Sequence, residues 1–131
     1  MRVLDTAALL HWPVDQLADG VCAISQQAEL ERVSPQRSLL VQSLDSIEWR
    51  DVPPAWLQDA KEAAALSGDL PRLSDVDVDV LALAIALDAT LVTDDYRLQN
   101  TMQALQRPTK SVGTTGACLL YTSDAADEED R

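Results

Sequence analysis

LPRLSDVDVDVLALAIALDATLVTDDYRLQN, residues 70–100, decides how this chain folds. Ser74 is placed to cap a helix that runs to about Leu87 and is apolar on most faces, as a buried helix is. Thr90–Thr93 reads as a buried strand. The acidic pair Asp94-Asp95 follows it, ahead of a helix from Tyr96 to about Gln106 that Pro108 stops. A second strand-then-acid junction lies near the N-terminus, where Val3-Leu4 runs into Asp5. A parallel α/β sheet brings such junctions together at the carboxyl ends of its strands, the edge where these folds place ligands. Carboxylates gathered there, with no basic partner beside them in sequence, suit a divalent cation. The pattern predicts a metal-dependent enzyme.

Working outward, Arg2–Leu4 reads as a short strand and Thr6 to about His11 as a helix that Pro13 ends. Asp19-Gly20 is a turn signal, and Val21–Ile24 is a strand. Ser25 is expected to cap a helix from Gln26 to about Val33, which Ser34-Pro35 breaks. Ser38–Leu44 has a helical pattern. Ser46–Asp51 alternates Ile47 and Trp49 with polar residues, as a peripheral strand does. Pro53-Pro54 opens a helix from Ala55 to about Leu66, and Gly68 sits where helices stop. Lys110–Val112 is expected as a last strand. Strands alternating with helices predict an α/β fold with a mainly parallel sheet of four or five strands.

A chain of 131 residues has room for one domain. Phe is absent, so Leu, Val, Ile and Ala must fill the core. The net charge of −12 speaks against casual binding to phosphates but leaves a nuclease open, because active-site carboxylates contribute to it. No signal peptide is recognisable and no apolar run reaches membrane-spanning length. Cys22 and Cys118 form no ligand or disulfide pattern. The expected setting is the reduced cytoplasm, without a membrane partner.

Residues 118–128, CLLYTSDAADE, resemble the translation of a common transposon-based sequencing adapter. They have no apolar period. We expect a domain over 1–117 and a disordered, non-native acidic tail over 118–131. Without that tail's five acids and one base, the formal charge becomes −8.

Each carboxylate also has an ordinary structural reading. Asp5 suits the N-cap of the Thr6 helix. Asp77 stands three residues after Ser74, as in a capping box. Asp75 and Asp79 favour a first-turn dipole. One of Asp94 and Asp95 would suffice to cap the next helix, whereas two adjacent acids at a buried strand end repel each other. Glu29 and Glu31 lie on the helix after the second strand, where a solvated face is the default. His11, the one histidine, reads as a helix-end surface residue. What lifts the acids above capping is that Asp5, Asp77 and Asp94/Asp95 map to one sheet edge with Glu29 in reach. No Ser-His-Asp, Cys-His, Walker or G-x-G-x-x-G pattern competes.

VLDT at 3–6, AELE at 28–31, the Asp77 helix start and Thr93-Asp94-Asp95 together resemble a PIN-domain ribonuclease. Within that family, Gly68-Asp69, Leu73-Ser74, VLALA at 80–84, TLVTDDYRLQN at 90–100 and IEWRDVPPAWL at 47–57 look like the NOB-type endonuclease that trims the 3′ end of small-subunit ribosomal RNA. The resemblance covers residues 2–112 and is firmest over 68–100. It implies a three-layer α/β/α sandwich that hydrolyses RNA phosphodiesters with Mg²⁺ or Mn²⁺. Asp5, Glu29, Asp77 and Asp95 would be catalytic, with Asp5, Asp77, Asp94 and Asp95 as metal ligands. Glu31 remains an alternative to Glu29. Thr6 and Thr93 would orient carboxylates or water, and Arg72, Arg97, Arg107 and Lys110 could touch RNA. The implied partner is small-subunit pre-rRNA, and a homo-oligomer is compatible with the resemblance. Proteins of the NOB type usually carry a zinc ribbon after this domain. No Cys-x-x-Cys pair occurs here, as expected if the adapter-like tail replaces the ribbon, the only part that would hold zinc. A VapC-like toxin ribonuclease and a non-cutting PIN-fold scaffold for ribosome assembly are the rival readings.

Overall fold

The computed structural model describes residues 1–113, so the expected tail at 118–131 lies outside the described residues. Five strands, β1 (Arg2–Leu4), β2 (Gly20–Ala23), β3 (Glu48–Arg50), β4 (Thr90–Val92) and β5 (Thr109–Lys110), form one parallel sheet in the order β3-β2-β1-β4-β5. The chain leaves β1 towards β2 and β3, then returns past β1 to β4 and β5. The strand order therefore reverses between β1 and β4, a topological switch point where a crevice opens at the carboxyl edge.

Alternation along the strands builds two cores. Val3, Val21 and Leu91 face one side, where α4 (Pro54–Ser67), α5 (Asp75–Ala86) and α6 (Tyr96–Ala104) cover them with Ala60, Leu83 and Met102. Their neighbours Leu4, Cys22 and Val92 face the other side. They pack there under α1 (Thr6–His11), α2 (Ser25–Val33) and α3 (Pro35–Gln42) with Trp12, Leu30 and Val41. This is the expected three-layer α/β/α sandwich. α5 is apolar almost all round because it packs on β1, β2 and β4 and against α4. Among the described residues no helix is long and apolar enough to cross a membrane.

Two glycines are dictated by geometry. Gly68 ends α4 in the left-handed region at φ 85°. A Cβ on Gly20 would come within 2.3 Å of Leu4 Cδ1 and 3.0 Å of the Leu17 carbonyl, so only glycine lets β2 start beside β1.

Three expectations need correcting. Ser25 is not the cap of α2: Ile24 already has helical angles and stands at the N-cap, while the Ser25 hydroxyl donates to Asp79 at 2.6 Å. The segment read as Ser38–Leu44 begins earlier, at Pro35. Ser34 caps it by accepting from the Arg37 amide at 3.2 Å, and proline is pre-shaped for the first helical turn. Lys110–Val112 is displaced too, since β5 ends at Lys110. The Val112 and Gly113 amides donate to Asp94 Oδ1 at 2.7 and 3.1 Å, which takes them out of the ladder. Short 3₁₀ turns at Val14–Leu17 and Leu70–Arg72 complete the fold.

Candidate active site

Asp5 leaves β1 at the switch point. Its amide donates to the Val92 carbonyl at 2.9 Å, which extends the β1–β4 pairing and fixes the backbone. Its side chain caps α1, with Oδ1 accepting from the Thr6 amide at 2.8 Å. Oδ2 accepts from the Thr93 hydroxyl at 2.6 Å, so the ends of β1 and β4 are tied through this carboxylate. Burial leaves Asp5 only 9 % exposed.

The electrostatics of Asp5 follow from that position. Burial lifts its carboxyl from the ordinary 3.8 to about 6, against the hydrogen bonds from Thr93 and Thr6, and the charges of Asp77 and Asp95 push the same way as burial. Asp5 has hydrogen bonds on both oxygens, yet among the described residues no ion-pair partner.

Asp77 and Asp95 face Asp5 from two helix starts. Asp77 forms a complete capping box with Ser74: its Oδ2 accepts from the Ser74 amide at 3.0 Å while its own amide donates to Ser74 Oγ at 3.1 Å. Asp95 caps α6 through the Arg97 amide at 2.8 Å. The Arg97 guanidinium then grips both Asp95 oxygens, Nε on Oδ1 at 3.0 Å and Nη2 on Oδ2 at 2.9 Å. Hydrogen bonds and charge from Asp95, with further contributions from Asp77 and Asp69, raise the pKa of Arg97. Asp95, Asp77 and Arg97 thus share one neighbourhood.

Glu29 joins through Thr6, whose hydroxyl donates to Glu29 Oε1 at 2.5 Å. Glu31 is exposed on the same helix. Behind them lies Gln26, which nothing in the sequence pattern singles out. It is fully buried, accepts from the Ala23 amide at 2.7 Å, and donates to the Leu4 carbonyl at 2.8 Å. It thereby holds the ends of β1 and β2 in register beneath Thr6. One Gln of the Gln26-Gln27 pair in a mixed helix carries no sequence signal for that role.

Asp94 turns away from Asp5 and commits Oδ1 to Ser111, Val112 and Gly113. Of the basic residues expected near RNA, Arg72 is exposed and Lys110 lies over the Trp12 ring at 5.4 Å. Arg107 stands at the opposite edge, just before β5, paired with Asp88 at 2.6 Å. His11 is exposed at the end of α1.

Among the described residues no three acidic, His or Cys side chains form a ready-made ion cage. Mg²⁺ does not require one, since it keeps several waters and uses one or two carboxylates. A buried carboxylate flanked by two more and lacking a cationic partner is a donor set that such an ion fits.

Residues 2–87 match the family model described as the PIN domain of ribonuclease. The chain belongs to the PIN-domain ribonuclease family. This PIN domain is 30 % identical over 129 residues to Endoribonuclease Nob1 of Methanothermobacter thermautotrophicus, covering 92 % of this chain and 74 % of that protein. It is 36 % identical over 98 residues to Ribonuclease VapC1 of Thermoplasma acidophilum, covering 75 % of this chain and half of that protein. To Ribonuclease VapC3 of Aeropyrum pernix it is 36 % identical over 104 residues, covering 74 % of this chain and 75 % of that protein.

Proposed function

We propose that this PIN domain is a Mg²⁺- or Mn²⁺-dependent endoribonuclease of the Nob1 type, acting on the 3′ region of small-subunit ribosomal RNA. The observation that carries the reading is Asp5, a buried carboxylate at the switch point with Asp77 and Asp95 beside it and no ion-pair partner among the described residues. Asp5, Asp77 and Asp95 would hold the ion, with Glu29 reaching it directly or through water. Asp94 has Oδ1 committed to residues 111–113. A bound divalent ion supplies Lewis acidity towards a phosphodiester and a more acidic water.

The chain's own groups supply the positioning. The Thr93 hydroxyl and Thr6 amide fix both oxygens of Asp5. Thr6 in turn orients Glu29, and Gln26 braces Thr6 with a longer contact of 3.4 Å. Glu29 is placed to accept a proton from an attacking water. Arg97 restrains Asp95 and offers a cationic group beside the site for a substrate phosphate.

A VapC-like reading is the alternative, favoured by the 36 % identities to VapC1 and VapC3. The two are separated by substrate. A small-subunit RNA fragment extended past its mature 3′ end and a tRNA are incubated with the protein and Mn²⁺, and the ends are mapped. Cleavage confined to the ribosomal fragment is the expected outcome. Preferential cleavage of the tRNA would transfer the assignment to the VapC-like group.

A further inference from the structure

A second feature lies one strand along the same sheet edge. At the carboxyl ends of β2 and β3 a cleft of about 400 Å³ opens against the start of α5. Ile24, Val52 and Leu57 give it apolar walls, and Ser25, Arg50, Asp51 and Asp79 bring polar groups into it. Its volume falls in the range of small-ligand sites, and its walls are about equally polar and apolar.

We propose that this cleft is a nucleobase site that takes a guanine of the RNA substrate, next to the phosphodiester held at Asp5. The inference rests on the nuclease reading above and names what that site would recognise. Adjacent strands lie about 5 Å apart, so the ends of β2 and β3 are one and two such steps from Asp5. Asp79 follows Asp77 on α5, and Ser25 opens the helix that carries Glu29. Cleft and carboxylates therefore share both helices.

The chemistry selects the occupant. Asp79 Oδ2 is fixed by the Ser25 hydroxyl at 2.6 Å, and among the described residues no hydrogen bond reaches Oδ1. A carboxylate so held repels phosphate and accepts from N–H donors. Guanine alone among the four bases presents two adjacent donors on its Watson–Crick edge, N1–H and the N2 amino group, matching both oxygens of one carboxylate. In adenine and cytosine the amino group adjoins a ring nitrogen acceptor, and in uracil the single N–H sits between two carbonyls, so each sets an acceptor against the carboxylate. The Arg50 guanidinium lies over the Trp56 ring, 5.7 Å from its centroid, which holds a flat cation along one wall. Arginine planes stack on bases and pair with the adjoining phosphate.

The test titrates isotope-labelled protein, in metal-free buffer, with GMP and with UMP, while the same preparation, supplied with Mn²⁺, is assayed on two single-stranded RNAs. One RNA is an oligouridylate and the other carries a single guanosine. GMP is expected to shift the amides of Ala23, Ser25, Arg50 and Val52 and to bind at least tenfold tighter than UMP. Asp79→Asn should remove that difference. It should also abolish preferential cleavage beside the guanosine and leave oligouridylate turnover unchanged. Should Asp79→Asn fail to fold, Arg50→Gln is expected to weaken GMP binding in the same assay. Wild-type cleavage with no shifts in the cleft, or equal binding of GMP and UMP, overturns the base site and spares the nuclease reading. GMP shifts in the cleft of a protein that cuts no RNA support the base site and overturn the nuclease reading.

Discussion

Asp5 concentrates the tension in this molecule. Its ordinary pKa is 3.8 and its folded value about 6. Between those values the folded state holds the proton more tightly than the unfolded state, so stability falls as pH rises through this window. Above pH 6 the ionised group costs about 3 kcal/mol, since each tenfold change in proton affinity is worth roughly 1.4 kcal/mol. Asp5→Asn should therefore stabilise the metal-free protein by about 1–2 kcal/mol at pH 8, part of the gain being lost to a poorer acceptor. The advantage should vanish near pH 4, where folded Asp5 is protonated. Urea melts of both proteins with EDTA, at the two pH values, check this. A wild type that gains stability from pH 4 to pH 8 relative to the variant would contradict burial as the origin of the raised pKa. Arg97 gives a second case. In the proposed site it would compete with the ion for Asp95, which it holds at 2.9 Å with side chains 39 % and 17 % exposed, so solvent screens the pair only in part. Arg97→Gln should raise Mn²⁺ affinity about three- to tenfold by calorimetry, because a neighbouring like charge is removed. Unchanged or weaker binding would mean that Asp95 is not a ligand.

At the level of elements, the most specific sequence segments turn out to hold each other. Gly68 ends α4, and Asp69 just after it is 5 % exposed. Burial works against the Asp69 charge, but donors from Asn100, Ser67 and Thr101, with Arg72 nearby, outweigh it and keep its pKa below the ordinary value. Asn100 and Ser67 each donate to Oδ2 at 2.8 Å, so the turn before α5 is latched to α6. Asp69→Ala should cost about 2–3 kcal/mol in chemical denaturation, since buried donors lose their acceptor. A loss under about 0.5 kcal/mol, the size of an ordinary surface change, would show that the latch is incidental. Capping separates from chemistry in α5. Ser74→Ala should cost about 1 kcal/mol through the lost cap, with RNA cleavage kept. These elements were legible because apolar period, prolines and Gly68 are local signals. The start of α2, the reach of β5 and the Gln26 brace were not, because each is set by a partner distant in sequence: Asp79 for Ser25, Asp94 for residues 111–113, and Leu4 for Gln26.

Across the whole molecule, the parallel sheet does what no single residue can: it carries Asp5 and Asp95, ninety residues apart in the chain, to one edge. Strand–helix alternation made the sandwich readable from sequence. It also made Asp5, Asp77 and Asp95 readable as neighbours, because each follows a strand or opens a helix that the topology aims at the same side. The strand order, the direction of Asp94 and the grip of Arg97 on Asp95 were not readable, since they depend on how the chain returns past β1 and on side-chain choices made only in the packed state. The site's chemistry is tested most directly by cleavage of a single-stranded RNA with and without Mn²⁺, using wild type, Asp5→Asn and Asp77→Asn, with thermal melts in parallel. Asparagine keeps most of the capping capacity of Asp77 and removes the charge that attracts an ion. We expect cleavage that requires Mn²⁺, stops with EDTA and falls about 100-fold or more in either variant while both remain folded, as loss of an ion's contribution to charge stabilisation would give. Undiminished, Mn²⁺-independent cleavage by Asp5→Asn and Asp77→Asn would contradict a metal-bound carboxylate edge and return both residues to helix capping.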